Sequence, residues 1–279
     1  MKTSVALEIF RDYQKSNLKP RTVVGYRYLL TNFEEFFGEK DLGSVSSEDT
    51  YHFLEMVTED NSKSSKRHRY AQLKAFFNFI ISNYLMDHRN PLDTPLMRKT
   101  FHKAKANPKR IIPKEIIDEL IFNCQNLRDR LIFELQSKCG ARIGEVLGIR
   151  AKDIEGRRII VKNPKSGKEN EAIFMPEQVA NRLKAYIREK GLREEDRVFK
   201  LSYTSARTMI KRMGKRIGLE LNPHDLRRHS ATFASRNGVP LEIISKVILR
   251  HQNLKTTQLY LGKVSDSEAI RWMDILHGE

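Results

Sequence analysis

The segment NPHDLRRH, which begins at Asn222, contains residue types that act on phosphate esters. Asn222 can cap a helix, Pro223 suits the first helical position, and Asp225 favours the first turn. His224 is therefore predicted at a helix N-terminus, where backbone N–H groups attract anions. Arg227 follows three residues later, so the two side chains should share a face and offer a proton carrier beside a guanidinium that binds two phosphate oxygens. A surface histidine and an arginine in an ordinary ion pair are the alternative.

Two other segments have comparable features. In KCGARIGEVLGI, Arg142 lies between glycines that let a backbone or a phosphate approach closely, and Glu145 could hold its guanidinium or cap a helix. In LRHQNLKTTQLYLG, His251 precedes Tyr260 by nine residues. Taken singly, each segment favours a structural role, such as an ion pair or a core tyrosine.

The charge of the chain indicates the partner. Among 279 residues, 51 Lys and Arg face 35 Asp and Glu, which gives a net charge of +16 and favours a polyanion, with nucleic acid ahead of an anionic membrane. The basic residues cluster in a linker and at helix starts, which disfavours a membrane-surface protein with one long amphipathic helix. A hydrophobic content of 39% excludes disorder as the main state.

The cysteine content and the N-terminal sequence further limit the classes of protein to which the chain can belong. The two cysteines, Cys124 and Cys139, cannot build a disulfide framework and have no metal-ligand spacing, so we expect buried thiols and no metal site. We find neither a signal peptide nor an apolar run long enough to span a bilayer, and we expect a cytoplasmic protein that does not enter the membrane.

Residues 1–89 are predicted to form a domain of four amphipathic helices. The fourth begins in SKSSKRHRYAQLK, whose basic residues suit DNA binding, although a solvated basic face is the alternative. The segment 90–113 carries four prolines without helical periodicity and is predicted as a basic interdomain linker that lies along DNA. The predicted DNA-binding residues are Lys63, Lys66, Arg67, Arg69, Lys103, Lys105, Lys109 and Arg110.

Residues 114–279 are predicted to be mainly helical, with one β-hairpin. The β-rich runs 157–162 and 171–175 flank the turn-forming NPKSGKEN, which places Lys165 near the hairpin tip. The predicted helices are 114–123, 127–139, 177–190, 203–217, 224–237, 240–250 and 264–277. The last of these carries more apolar surface than it needs for itself, so we expect it to dock on a neighbouring protomer, with docking on its own domain as the alternative.

The ordered set of Arg, hairpin Lys, His-x-x-Arg, His and Tyr is far more specific than any of its parts. ARIGEVLGI, NPKSGKEN, HDLRRHSATFA and LRHQNLKTTQLY resemble the signature segments of the tyrosine recombinases, especially the archaeal Xer-type proteins. The resemblance is close over residues 113–262, whereas residues 1–105 match only in kind, as a helical core-binding, SAM-like domain. It implies a mainly α, two-domain, C-shaped DNA clamp with a small antiparallel β element.

The resemblance also implies the roles of individual residues. Tyr260 would be the nucleophile, Arg142 and Arg227 would hold the scissile phosphate, and Lys165, His224 and His251 would complete the site. Lys162 and Lys168 flank the hairpin lysine and are its alternatives. The family works as tetramers on paired double-stranded DNA sites and needs no metal or nucleotide cofactor.

Two positions depart from the usual pattern of the family. Arg250 stands where Gly usually precedes the second histidine, and Arg228 stands where His usually follows the arginine of the His-x-x-Arg motif. Both residues add positive charge.

The chemistry of these residue types agrees with the implied roles even without the resemblance. Attack by a phenol on a phosphodiester builds negative charge that two bidentate arginines can stabilise. The tyrosine needs a base, for which His224 is suited, and the departing 5′ hydroxyl needs an acid such as Lys165. Together with the resemblance to the Xer-type proteins, which implies chromosome dimer resolution, this chemistry favours site-specific recombination. The alternatives are integration of a virus or plasmid, a topoisomerase with the same nucleophile, and a non-enzymatic DNA-binding protein.

Overall fold

A computed structural model of the chain describes residues 1–85, 87–102, 111–162, 164, 169–261, 270 and 272–275, with the backbone alone for Leu259 and Tyr260. The chain divides into two compact units, Met1–Ala106 (unit 1) and Asn107–Glu279 (unit 2). Within the described ranges, no helix is both long enough and apolar enough to cross a membrane.

Unit 1 is helical and contains the four predicted helices. Its elements are α1 (Thr3–Asn17), α2 (Pro20–Phe37), a 3₁₀ turn (Leu42–Ser44), α3 (Ser47–Thr58), α4 (Lys63–Tyr84) and α5 (Pro95–Thr100). Local chemistry sets the ends, because Pro20 occupies the first turn of α2 and Ser46 caps α3. The Ser46 hydroxyl accepts from the Asp49 backbone N–H at 3.0 Å, while the Asp49 carboxylate accepts from the Ser46 N–H at 2.9 Å.

The core of unit 1 is aromatic. Phe33 of α2 is fully buried. Its ring meets the rings of Phe53, Phe76 and Phe77 edge-on, with centroid separations of 5.1, 6.0 and 5.8 Å. Such edge-to-face pairs add to the free energy gained by burying the rings, so the aromatic residues of α2, α3 and α4 hold these helices together.

The segment predicted as a linker is partly folded onto unit 1. Leu92, Met97 and Phe101 are buried in the unit 1 core. Pro95 does not break structure here but opens α5, and the Thr94 hydroxyl caps that helix by accepting from the Met97 N–H at 3.2 Å. Lys103, Lys105, Lys109 and Arg110 lie outside the described residues.

Unit 2 combines helices with one small sheet. Its elements are α6 (Lys114–Phe122), α7 (Leu127–Ser137), α8 (Ile143–Gly148), a 3₁₀ turn (Ala151–Asp153), β1 (Ile154–Glu155), β2 (Arg158–Lys162), β3 (Asn170–Phe174), α9 (Glu177–Glu189), α10 (Tyr203–Arg216), α11 (Pro223–Arg236), α12 (Leu241–Ile243), a π-helical turn (Ile244–Ile248) and α13 (Leu254–Leu261). The sequence predicted α6, α7, α9, α10 and α11 to within two residues at each end, and it missed α8 and α13.

The predicted hairpin is present as β2 and β3, and β1 adds a short third strand, so the antiparallel order is β1-β2-β3. Ile159 of β2 pairs with Ile173 of β3, and both are fully buried. Glu171 lies two residues before Ile173 and so faces the same side of the sheet. It is also buried, which places a carboxylate on the inner face.

Helix α7 is the centre of unit 2 and packs against α6, α8, α9 and α11. Leu131, Phe133 and Leu135 are fully buried although they point in different directions around the helix, as expected for a helix surrounded by neighbours. Glu134 is buried among them. The guanidinium of Arg182 donates to both of its oxygens, at 2.6 and 3.0 Å, so α7 and α9 are joined by a paired charge.

The helix predicted over 240–250 is wrong as a single regular helix. After the short α12, the Leu249 N–H donates to the Ile244 carbonyl at 2.8 Å, five residues back, which makes a π-helical turn. Arg250 then takes a left-handed φ of 50°. Hydrophobic periodicity cannot show this one-residue widening, because it leaves the pattern of apolar residues almost unchanged.

We expect Phe33→Ala to lower the free energy of unfolding of unit 1 by about 3–5 kcal/mol, because it leaves a cavity among three other rings. Phe36→Ala is the matched control, since Phe36 lies in the same helix and is 55% exposed. Hydrogen exchange of the α2 and α4 amides measures the opening of unit 1 directly. Equal losses for the two variants would contradict the assignment of Phe33 to the core.

Candidate active site

Helix α11 begins as the sequence predicts. Pro223 is its first residue, and the Asp225 carboxylate accepts from the Asn222 backbone N–H at 2.9 Å. The buried side-chain amide of Gln136 on α7 donates to the Pro223 carbonyl at 3.2 Å. The start of α11 is therefore fixed both by its own cap and by the central helix. His224 is exposed at this end.

Arg227, three residues further along α11, is buried. It is 1% exposed and has the largest fully buried side chain among the described residues. Its Nη1 donates to the Gly140 carbonyl and its Nη2 to the Leu249 carbonyl. His224 and Arg227 therefore differ in exposure, since His224 is exposed and Arg227 is held by two backbone carbonyls.

Gly140 provides one of these acceptors at a point of close approach. It has a φ of 63°, and a Cβ at this position would lie 2.7 Å from Cγ2 and 2.9 Å from the carbonyl of Ile248. Only glycine combines this backbone conformation with so short a distance. The glycine before Arg142 therefore lets the end of α7 contact the π-helical turn and places an acceptor for Arg227.

Arg142 lies at the N-terminus of α8. Glu145 both caps the helix and holds the guanidinium, since it accepts from the Arg142 backbone N–H at 2.8 Å and from Nη1 at 2.6 Å. The sequence left these two roles as alternatives. The Nη2 of Arg142 donates to the carbonyls of Leu249 at 3.4 Å and Arg250 at 3.3 Å. Arg142 and Arg227 therefore share one acceptor, the Leu249 carbonyl.

The turn that offers this acceptor is strained. A left-handed conformation costs a residue other than glycine on the order of 1–3 kcal/mol. Arg250 adopts it with its side chain only 3% exposed. Its Nη2 donates to Glu145 Oε2 at 2.6 Å, and its Nε lies 3.4 Å from Glu171 Oε2. The positive charge that Arg250 adds is therefore directed into the protein, at two carboxylates.

His251 follows the turn and is oriented by two buried hydroxyls. Its Nδ1 lies 3.0 Å from Thr257 Oγ1, which donates to Ser245 Oγ at 2.9 Å. The linked hydroxyls of Thr257 and Ser245 thus hold the His251 ring by its Nδ1 atom.

The surroundings of His251 disfavour its charged form. Burial lowers the pKa of His251, and the positive charges of Arg227, Arg142 and Arg250 lower it further, from 6.5 to about 4. At neutral pH the ring therefore carries no positive charge.

Tyr260 lies on α13, one turn after Thr257. Helix α13 packs against α11 and the π-helical turn, and Leu261 contacts the small apolar cluster of Ala231, Ala234, Ile244 and Leu249. The helix that carries Tyr260 is thus attached to the same elements that hold Arg227 and His251. Lys165 and Lys168 lie outside the described residues, and Lys162 is placed 3.3 Å from Asp153 in an ion pair.

The structure also shows residues that the sequence analysis missed. Glu171 is the clearest, and its signal was a glutamate at an inward position of the strand NEAIF, two residues before the buried Ile173. The sequence contained no separate indication of a role for Thr257, which lies between His251 and Tyr260. The departure at Arg228 is explained locally, because its Nη1 donates to Asp225 Oδ1 at 3.1 Å and its charge is paired within α11.

The basic residues predicted to bind DNA in unit 1 are of two kinds. Arg67 donates to the Phe101 carbonyl at 3.2 Å, and Arg69 donates to the Gly25 carbonyl at 2.9 Å. Both therefore also stabilise their own unit. Lys63 is exposed and Lys66 is partly exposed at the start of α4.

Comparisons with known proteins agree with this architecture. Residues 110–265, more than half of the chain, match the phage integrase family, and residues 10–83 match the phage integrase N-terminal SAM-like domain. A tyrosine recombinase XerA from Saccharolobus solfataricus is 29% identical over 249 residues, which cover 88% of this chain and 83% of that protein. A tyrosine recombinase from Pseudothermotoga lettingae is 27% identical over 279 residues, which cover 94% of this chain and 95% of that protein.

Solved structures show the same fold. A Tn1549 transposon integrase in complex with transposon right end DNA has a TM-score of 0.77 at 20% identity, covering 99% of this chain and 100% of that chain. A XerH site-specific recombinase bound to a palindromic substrate has a TM-score of 0.75 at 20% identity, and the match covers 99% of this chain and 85% of that chain.

The chain therefore belongs to the phage integrase family, as a tyrosine recombinase similar to the archaeal XerA proteins. It is an enzyme of site-specific DNA recombination, which breaks and rejoins DNA strands by transesterification. The expected family, fold class and activity are confirmed.

We expect the ring resonances of His251 to stay at their neutral positions between pH 8 and pH 5 in an NMR titration, with His251→Gln assigning the signal. Because the folded pKa lies below the ordinary value, protons bind the unfolded chain first, and the stability contributed by His251 is lost as the pH falls from 6.5 towards 4. A midpoint near 6.5 would contradict the proximity of the three arginines.

Proposed function

We propose that this recombinase acts through Tyr260 at a specific chromosomal site and resolves chromosome dimers in the manner of the Xer recombinases. The observation that carries the proposal is the shared Leu249 carbonyl, which draws Arg142 and Arg227 together beside His251. Similarity to proteins named XerA over most of both lengths supports the biological role. Integration of a mobile element is the second candidate, favoured by the structural match to a transposon integrase.

Arg142 and Arg227 are assigned to the scissile phosphate. Both guanidiniums are held by backbone carbonyls, so the site is ordered before DNA arrives. Two fixed guanidiniums can stabilise the extra negative charge of the pentacoordinate transition state without reorganising. An ordered pair therefore lowers the barrier to the reaction as well as binding DNA.

Tyr260 is assigned as the nucleophile. Its hydroxyl oxygen forms a bond to phosphorus as the bond to the 5′ oxygen breaks, which leaves a 3′-phosphotyrosyl link and a free 5′ hydroxyl. The phosphodiester energy is retained in that link. A 5′ hydroxyl from the partner duplex can then attack it and release the tyrosine, which completes strand exchange without a nucleotide cofactor.

Proton transfer is assigned to two residues. His224, exposed at the positive N-terminus of α11, takes the proton of the tyrosyl hydroxyl, and Lys165 gives a proton to the departing 5′ oxygen. His251 transfers no proton in this scheme; its neutral ring can donate a hydrogen bond from a ring N–H to a phosphate oxygen. A neutral ring leaves the positive charge of the site to the arginines.

DNA binding by unit 1 is assigned to the start of α4 and to the linker. Lys63 and Lys66 are accessible to phosphates, and Arg67 and Arg69 extend the basic surface, although each also has a partner within the unit. In the segment after Phe101, the proposed contacts are Lys103, Lys105, Lys109 and Arg110. These contacts would add affinity and salt dependence without sequence preference.

The active assembly is proposed to be a homotetramer on paired sites, in which C-terminal helices are exchanged between protomers. Of the predicted helix 264–277, the structure describes residues 270 and 272–275. Trp272 contacts Gly238 of the same chain, while Ile270, Met273 and Ile275 are 53–62% exposed. The exposed side chains are the surface that a neighbouring protomer would cover.

Covalent trapping tests the chemistry. Wild type and Tyr260→Phe are incubated with nicked duplexes that carry fragments of the source genome, and adducts that survive denaturation are isolated and sequenced. Because the variant lacks only the hydroxyl, we expect a 3′-linked adduct at one enriched site from wild type and none from the variant.

The outcomes separate the candidates. Adducts at many unrelated sites would indicate a topoisomerase, and equal adducts from both proteins would exclude Tyr260 as the nucleophile. Tight binding to an enriched fragment without any adduct would indicate a non-enzymatic DNA-binding protein. An enriched site at the ends of a mobile element would favour integration over dimer resolution.

Deletion of residues 264–279 tests the exchanged helix. We expect recombination between two sites to fall at least about 10-fold while binding to one site changes less than about 3-fold, because the helix serves assembly. Trp272→Ala in the full chain is the milder variant. Gel-shift binding and a two-site recombination assay measure the two effects, and an equal loss in both would refute exchange between protomers.

A further inference from the structure

Arg250 is unusual in both its backbone and its side chain. It is the only non-glycine residue with a positive φ in the described part of the chain, and its guanidinium is nonetheless buried. A strained conformation persists only where the surrounding structure compensates for it. The Nη1, Nη2 and Nε atoms of Arg250 face the Ile248 carbonyl, Glu145 and Glu171, so its guanidinium is directed into the protein.

The compensation comes from two buried carboxylates. Arg250 Nη2 donates to Glu145 Oε2 at 2.6 Å, and its Nε lies 3.4 Å from Glu171 Oε2. Its Nη1 also donates to the Ile248 carbonyl at 2.9 Å. Burial alone raises the pKa of Glu145, but the charge of Arg250 and the hydrogen bonds from Arg142 outweigh it and hold that pKa below the ordinary value.

The same carboxylates lie close to Arg142. Its Nη1 donates to Glu145 Oε1 at 2.6 Å and is 4.0 Å from Glu171 Oε2. Without Arg250, the two carboxylates of Glu145 and Glu171 would face the guanidinium of Arg142 alone. With Arg250, two guanidiniums balance the two carboxylates, and the positive charge of Arg227 remains for a phosphate.

We propose that Arg250 is a positioning residue for strand cleavage. It binds the carboxylates of Glu145 and Glu171, so that these do not offset the positive charge of Arg142 and Arg227 or draw the two arginines away from the scissile phosphate. The inference rests on the proposed role of these two arginines. It also gives the sheet a part in the site, because Glu171 is on β3, and the hairpin that carries Lys165 is thereby tied to the turn before His251.

The substitution Arg250→Gly separates the side chain from the backbone. Glycine adopts a φ of 50° without strain, so the turn and its Leu249 carbonyl should remain in place while the guanidinium is lost. Glu171 would then be unpaired at 4.0 Å from Arg142 and would draw that side chain away from the phosphate. If Arg250 had no role in the reaction, this variant should be as active as wild type.

The test compares single-turnover formation of the covalent adduct at saturating DNA with the Kd for the same DNA. We expect Arg250→Gly to lower the rate about 100-fold, since small misplacements of a catalytic group have effects of that size, and to change Kd less than about 3-fold. Arg250→Lys keeps the positive charge but cannot contact both carboxylates, so its rate should lie between those of Arg250→Gly and wild type. Adding Glu171→Gln to Arg250→Gly should recover most of the lost rate.

The outcomes distinguish this inference from the proposed function. If wild type and Tyr260→Phe behave alike, the assignment of the nucleophile fails. If wild type reacts and Arg250→Gly reacts as fast, or if Glu171→Gln gives no recovery, the positioning role fails alone. A uniform rise in Kd with an unchanged rate would make Arg250 a binding residue and would equally overturn the inference.

A second measurement needs no DNA. His251 faces Arg142, Arg227 and Arg250 and is hydrogen-bonded to Thr257, so its NMR titration reports the charge of the cluster. Arg250→Gly should raise the pKa of His251 towards the ordinary value, and adding Glu171→Gln should lower it again. An unchanged pKa in Arg250→Gly would contradict the charge balance on which the inference depends.

Discussion

The candidate active site depends on one backbone carbonyl. Leu249 accepts hydrogen bonds from Arg142, at the start of α8, and from Arg227, within α11. A carbonyl oxygen has two lone pairs, so one acceptor can hold two guanidiniums at a fixed separation. Two positive groups that would otherwise repel each other are thereby kept side by side in the absence of DNA.

The shape of the chain around Leu249 makes this arrangement possible. The π-helical turn before it and the left-handed residue after it bring the carbonyls of residues 249 and 250 to Arg142. Gly140 allows the end of α7 to contact this turn, and Thr257 connects His251 to the helix of Tyr260. Strain at Arg250 is offset by its carboxylate partners, which links backbone geometry to the charge of the site.

Local sequence predicted the elements with clear end signals. The starts of α2, α3 and α11 follow from Pro20, Ser46 and Asn222, because caps and first-turn prolines act over three or four residues. The two strands of the hairpin were predicted from their β-rich composition and from the turn-forming residues between them. Helices α5, α8 and α13 were missed, since short helices gain their stability from tertiary contacts and carry little periodicity of their own.

By itself, the sequence determined the family, the order of the candidate site residues and the basic character of the chain, because these depend on residue type and spacing. Only the tertiary structure decided what each charge does. Arg227 is buried among carbonyls, Arg250 faces Glu145 and Glu171, and His251 is neutral. Several of the contacts behind these outcomes join groups about 80 to 110 residues apart, whose burial and distances no local pattern specifies.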